Sequence, residues 1–91
     1  MLKGIQGKIH MGTIIQPTLL PPADNHSWHF HEETFNGRNF FVLKLVDRNY
    51  NDIVLNSEKI SDFDLKMQVD VFRKTPQEIV DSMARKIIAD S

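Results

Sequence analysis

A chain of 91 residues has room for one folded unit with one hydrophobic core, so we predict a single domain over residues 1–91. The absence of cysteine excludes disulfide bonds and thiolate zinc sites as sources of stability. The net charge is −1 and Lys and Arg form no cluster, which argues against nucleic acid as a partner, and no apolar run is long enough to cross a membrane.

The composition also carries an expectation about origin and compartment. The first residues contain neither an apolar signal segment nor a small-residue cleavage site, which predicts a soluble, cytoplasmic protein. The sequence is rich in Ile, Asn, Asp and Lys and poor in Ala, a bias typical of AT-rich coding in many bacteria and phages. We therefore expect a small bacterial or phage accessory protein.

The first predicted element is a strand over residues 5–15. Apolar residues share one side of it, and Gly4, Gly7 and Gly12 predict bends or bulges. Residues 17–27 contain three prolines, which cannot donate to a β-ladder, and are predicted to form an extended surface loop. Within this loop, Leu19 and Leu20 either cover a sheet edge or remain exposed as a docking peptide.

A β-hairpin is predicted around Asn36-Gly37, the preferred pair for a two-residue type I′ turn. In that register the numbers of opposed residues sum to 73, so that Trp28 faces Leu45 and Phe30 faces Leu43. The bulky apolar pairs then fall mostly on one face of the ribbon, which supports the register.

The rest of the chain predicts two more strands and a helix. Residues 53–55 form a short apolar strand between polar turns at residues 47–52 and 56–61. Residues 62–72 alternate strictly between apolar and polar types, which predicts a half-buried strand. Thr75, Pro76 and Glu78 have the spacing of a helix start with a capping box, and an apolar stripe follows over residues 76–89.

The predicted fold is therefore α+β. About five mainly antiparallel strands form an open sheet or a small, partly open barrel, and a single amphipathic helix at the C-terminal end packs on it.

The second predicted strand of the hairpin is apolar on both sides, so one of its faces needs a cover. The loop, a second copy of the chain or another protein could supply that cover. We call the residues expected to make this contact the predicted patch: Leu19, Leu20, Trp28, Phe40, Val42 and Val46.

Histidines offer a second interpretation. On a strand, His29, His31 and Glu33 project to the same side, and two imidazoles with a carboxylate can bind a metal ion if further ligands arrive from elsewhere. His10 and His26 are the candidates for those ligands, although Lys44 opposite His29 would repel a cation. These five residues are the predicted ligand set; the alternative is that they are partly solvated strand residues.

No nucleophile, glycine-rich phosphate loop or paired-carboxylate site stands out, so no catalytic residue is predicted and no cofactor other than a metal ion. The favoured function is a non-enzymatic protein-interaction module that binds a protein partner or self-associates, for example as a homodimer. The alternative is a histidine-based metal-binding protein or metal-dependent enzyme. A second alternative is an OB-like barrel that binds single-stranded nucleic acid, which lacks the positive groove such sites need.

Overall fold

A computed structural model describes residues 16–90. The elements in chain order are β1 (His26–Phe35), β2 (Arg38–Asp47), a 3₁₀ turn (Arg48–Tyr50), β3 (Ile53–Ser61), α1 (Asp62–Asp70) and α2 (Pro76–Asp90). The strands form an open antiparallel sheet in the order β1-β2-β3, and both helices pack against it. None of the helices in the described part of the chain has the length and apolar character needed to cross a membrane.

The predicted hairpin is confirmed residue for residue. Phe35 pairs with Arg38, Phe30 with Leu43, and the register runs without a slip to the pair of His26 and Asp47. Asn36 and Gly37 have φ angles of 51° and 76°, the positive values that a type I′ turn requires. Local turn chemistry and the apolar pattern specify the same register here.

The second connection, between β2 and β3, is longer than the hairpin turn and is held by side-chain hydrogen bonds. Asp47 is buried at the end of β2 and accepts hydrogen bonds from Asn25 Nδ2 (2.7 Å) and from the backbone N–H of Asn49 (2.9 Å). Asn51 and Asp52 then take positive φ angles, which lets the chain reverse into β3. The predicted polar turn over residues 47–52 is thus present, but residues 56–61, predicted as a second turn, continue β3.

The predicted strand over residues 62–72 is wrong, because residues 62–70 form helix α1. The Ser61 hydroxyl caps this helix by accepting the backbone N–H of Asp64 at 3.0 Å. In a helix, the alternating apolar residues separate into two i,i+4 pairs on different sides. Leu65 is only 4% exposed and Val69 packs against the core, whereas Phe63 is 69% exposed.

The C-terminal helix is confirmed, together with its start signal. The backbone N–H of Glu78 donates to Thr75 Oγ1 at 3.1 Å, and the backbone N–H of Thr75 donates to Glu78 Oε1 at 2.8 Å. These two bonds make the capping box that the sequence predicts. The helix buries the stripe Ile79, Val80, Met83, Ala84 and Ile87 against the sheet.

The core lies between the odd-numbered residues of β2 and the inner faces of the two helices. Its buried members are Phe41, Leu43, Leu45, Leu65, Ile79, Val80, Met83, Ala84 and Ile87. The described part is therefore a small α+β layer of three strands and two helices. The prediction of five strands with one helix is not confirmed. Residues 62–70, which belong to a predicted strand, form the helix α1, and the predicted strand over residues 5–15 lies outside the described residues.

Candidate interaction surface

The two loop leucines of the predicted patch have different environments. Leu19 packs against the core, and its carbonyl oxygen accepts a hydrogen bond from Trp28 Nε1 at 3.1 Å. Leu20 points outward and is 83% exposed. The loop therefore covers part of the core with one leucine and displays the other, while Trp28 itself is half-buried.

The β2 members of the patch are less accessible than the sequence suggests. Val42 and Val46 are 3% and 2% exposed, so neither offers an apolar surface in the single chain. Phe40 is half-buried and packs edge-on against Phe35, with 5.7 Å between ring centroids. The Lys59 ammonium lies over both rings, 4.6 Å from the Phe35 centroid and 5.2 Å from that of Phe40, an arrangement favourable for cation–π contact.

The centre of the predicted ligand set is occupied by an ion pair. Lys44 Nζ lies 2.6 Å from Glu33 Oε2, and His31 Nε2 contacts the same oxygen. The hydrogen bond from Lys44, followed by that from His31, lowers the pKa of Glu33 below its usual value, against a smaller opposing effect of desolvation. The carboxylate therefore already has a cation beside it.

The remaining histidines do not gather around that pair. His29 Nε2 lies 3.4 Å from Ser27 Oγ, and His26 Nε2 lies 4.0 Å from Asp47 Oδ2 at the far end of the strand. His10 lies outside the described residues. Within residues 16–90, no three histidine, aspartate or glutamate side chains are placed so that they could hold a metal ion.

An open groove with a volume of about 520 Å³ lies on the helix side of the sheet. It is bounded by the C-terminal half of β3, by α1 and by α2. Its apolar lining consists of Phe40, Ile60, Phe63, Met67, Phe72, Ile79 and Met83. Phe63 and Phe72 are 69% and 62% exposed, so two aromatic rings stand largely in solvent at its rim.

Charged side chains surround this apolar lining. The cations are Lys59, Lys74 and Lys86, and the anions are Glu58 and Asp64. Lys86 and Glu58 neutralise each other at 3.5 Å. Neither Lys59 nor Lys74 has a carboxylate partner within residues 16–90, so the rim carries a small excess of positive charge.

This groove does not follow from the sequence pattern, because the alternation of residues 62–72 predicts a strand where the chain forms α1. On a strand, Phe63 and Leu65 would share one buried face; on α1 they lie on different sides, and Phe63 becomes available. A signal for the helix was present in Ser61 followed by Asp64, the spacing of a serine N-cap with an acid in the first turn. The period-two alternation outweighed it.

Comparisons with known proteins give no independent indication of function. No protein-family model matches the chain. Searches of curated proteins and of solved structures also find no significant match. The function therefore has to be argued from the residues and their geometry.

Proposed function

We propose that this protein is a non-enzymatic interaction module and that it binds another protein through the groove between β3, α1 and α2. The observation that carries the proposal is the pair of largely exposed rings, Phe63 and Phe72, at the rim of an apolar concavity. Large aromatic side chains in solvent are costly for a small soluble domain, and aromatic anchors are enriched at protein interfaces.

The lining suits a protein ligand better than a small polar substrate. Met67 and Met83 have flexible side chains that adapt to different shapes, and methionine is frequent at binding surfaces that accept varied sequences. The two carboxylates whose pKa is lowered, Glu33 and Asp81, lie outside the groove lining. These features favour binding over catalysis.

The proposal can be tested by cross-linking in the native cell extract. A photo-reactive phenylalanine analogue at position 63 should form a discrete adduct with a protein partner, and the Phe72→Ser substitution in the same chain should abolish it. The analogue at position 20 serves as the control, because Leu20 is even more exposed than Phe63 but lies outside the groove lining. Equal adduct patterns from positions 63 and 20 would argue against the groove as a docking site.

Self-association is the other form of this function and needs its own measurement. Size-exclusion chromatography with light scattering on the purified full chain gives the mass directly, and Phe63→Ser with Phe72→Ser should leave the mass of a monomer unchanged. A dimer that dissociates in this double variant would show that the groove binds a second copy of the chain.

A further inference from the structure

The proposed groove lies beside an edge of β3 with which no strand of residues 16–90 pairs, and this deepens the function proposed above. We propose that the groove binds an extended peptide of a partner protein, which adds a strand to the edge of β3. The peptide would place alternate apolar side chains into the groove and acidic side chains against its lysine rim. This inference rests on the proposed function and specifies the class of ligand and its mode of binding.

The hydrogen-bonding pattern of the sheet identifies which groups of β3 are open. A two-residue hairpin closes on a hydrogen-bonded pair, here Phe35 and Arg38, and hydrogen-bonded pairs then alternate along the ladder. Even-numbered residues of β2 therefore bond to β1, and odd-numbered ones bond to β3. The partners of odd-numbered Phe41 and Leu43 are Ile60 and Glu58, so these two residues of β3 face β2.

It follows that Ser57, Lys59 and Ser61 direct their backbone N–H and C=O groups away from β2. The Ser57 N–H confirms this direction, because it donates to Asn56 Oδ1 at 2.8 Å rather than to β2. Within residues 16–90, no strand pairs with this side of β3, and Ser57 and Lys59 are exposed. A free edge of this kind accepts an added strand through main-chain hydrogen bonds.

The open edge and the groove coincide in one part of β3. Residues 58–61 line the groove, and the same stretch includes the Lys59 backbone groups that point outward. A peptide strand alongside it would be anchored through its main chain, and every second side chain would turn toward Ile60, Phe63 and Met67. Main-chain hydrogen bonds to the edge of β3 would then supply affinity for the peptide, and side-chain contacts in the groove would supply selectivity. Both would involve the same stretch, residues 58–61.

Charge decides which peptide fits best. Lys59 and Lys74 lack carboxylate partners in the described part of the chain, and Glu58 is already paired with Lys86. With Asp64 included, the lining has three cations and two anions. The chain as a whole has a net charge of −1, so this excess of cations is local. A ligand with Asp or Glu beside its apolar residues is complementary to the rim, and one with Lys or Arg there is repelled.

A second copy of the chain fits this edge less well. When a two-fold axis pairs the outer edges of two β3 strands, odd-numbered residues lie opposite odd-numbered ones and even-numbered residues opposite even-numbered ones. A pairing centred on residue 58 or 59 sets Glu58 opposite Glu58 or Lys59 opposite Lys59, whereas a pairing centred on residue 60 sets Lys59 opposite Ser61. Like charges directly opposite each other destabilise the first two pairings, and every such pairing brings two rims with the same excess of cations together, so we assign the edge to a different protein.

The test uses the full-length protein and a phage-displayed library of random peptides, each about ten residues long, the upper range of ordinary strands. We expect the enriched sequences to show apolar residues at alternate positions with Asp or Glu near them. A synthetic peptide of the consensus is then titrated by NMR. The Lys59 amide should exchange more slowly with solvent in the complex, because its N–H becomes a hydrogen-bond donor to the peptide.

Matched variants separate the main-chain bond from the charge. Lys59→Thr removes the charge but keeps the N–H, and Lys59→Pro removes both at a position where an edge strand tolerates proline. We expect Lys59→Pro to bind the peptide about tenfold more weakly than Lys59→Thr, as for one lost hydrogen bond. Lys74→Glu should also weaken binding, whereas Lys66→Glu, on α1 but outside the groove lining, should not.

The outcomes distinguish this inference from the proposed function. Enriched peptides with apolar residues at i, i+3 and i+4, whose binding needs Phe63 but leaves Lys59 exchange unchanged, would overturn strand addition and retain the groove as a binding site. Peptides that bind the Phe63→Ser, Phe72→Ser double variant as well as the wild type would overturn both. If Lys59→Pro does not fold, the exchange of the Lys59 amide in the wild-type complex decides the question.

Discussion

At the scale of single residues, Asp81 fastens the loop to α2. Its carboxylate accepts hydrogen bonds from the Thr18 backbone N–H (2.7 Å), the Thr18 hydroxyl (2.8 Å) and Gln77 Nε2 (3.0 Å). Desolvation by burial raises the pKa of Asp81. The hydrogen bonds from Thr18 and Gln77 and the charge of Arg85 together lower it by more, so the pKa of Asp81 lies below its usual value. Folding is thereby coupled to the ionisation of this group.

We predict that Asp81→Asn lowers the free energy of unfolding by about 1 kcal/mol at neutral pH, as expected for partly exposed hydrogen bonds to a charge. Because the pKa of Asp81 is lower in the folded state, its contribution is present above the unfolded pKa of about 4 and is lost as the pH falls through the folded pKa. Urea titrations at several pH values measure this. An equally large effect for Asp70→Asn, an exposed acid outside this contact, would contradict the explanation.

The ion pair of Lys44 with Glu33 leads to a prediction about metal ions. Because the ammonium lies 2.6 Å from the carboxylate, adding zinc or nickel should leave the melting temperature of the wild-type protein unchanged. Lys44→Gln should allow the histidine-rich side of β1 to bind zinc weakly. Purified, untagged wild-type protein that retains stoichiometric zinc would contradict this expectation and favour the metal-binding alternative with His29, His31 and Glu33.

At the scale of elements, α1 shows how one apolar pattern serves two different structures. Strict alternation over residues 62–72 fits a strand, but in a helix it also produces an i,i+4 pair on each of two sides. One pair, Leu65 and Val69, joins the core, and the other, Phe63 and Met67, lines the groove. Because β3 leads directly into α1, the Ser61 cap and the available core space favour the helix.

Two substitutions test this assignment. Leu65→Ala should lower the free energy of unfolding by about 2–4 kcal/mol, because a buried leucine is lost from the core. Phe63→Ala should change it by no more than about 0.5 kcal/mol, because the ring is largely in solvent. Both can be measured by urea denaturation followed by circular dichroism. Comparable losses for the two variants would contradict the helix, since a strand would bury both side chains on one face.

At the scale of the whole molecule, the hairpin and α2 depend on one another. The Leu43 and Leu45 side chains of β2 have almost no exposed surface, and they share one core cluster with Val80 and Ile87 of α2. A three-stranded sheet with one bare apolar face is marginal by itself, and so is an isolated helix of this length. The described elements should therefore fold together rather than in stages.

We predict a single cooperative unfolding transition. Trp28, the only tryptophan, lies on β1 and packs against the core, so its fluorescence reports on the sheet, whereas ellipticity near 222 nm reports mainly on the helices. Urea curves from the two probes should superimpose. A helix signal that disappears before the Trp28 signal changes would show that α2 is only loosely attached.

Sequence alone was sufficient where the signals are local. The Asn36-Gly37 turn, the hairpin register and the capping box of α2 depend on contacts between residues close along the chain, and all three are confirmed. The division of the loop leucines was left open as two alternatives, and the structure shows one of each: Leu19 covers the core and Leu20 is exposed.

The structure of residues 62–72 depended on tertiary packing. Their apolar–polar alternation does not distinguish a strand from a helix, because either element would have an apolar side. Residues 62–70 form a helix because Ser61 caps it and its inner face packs on the core above β2 and β3, and this exposes Phe63 beside the edge of β3 that faces away from β2. Which side chains remain accessible depends on what packs over them: Val42 and Val46 are buried, and the groove lies instead between β3 and the two helices. The burial of a side chain is a property of its neighbours in space, and residue order encodes those neighbours only through the completed fold.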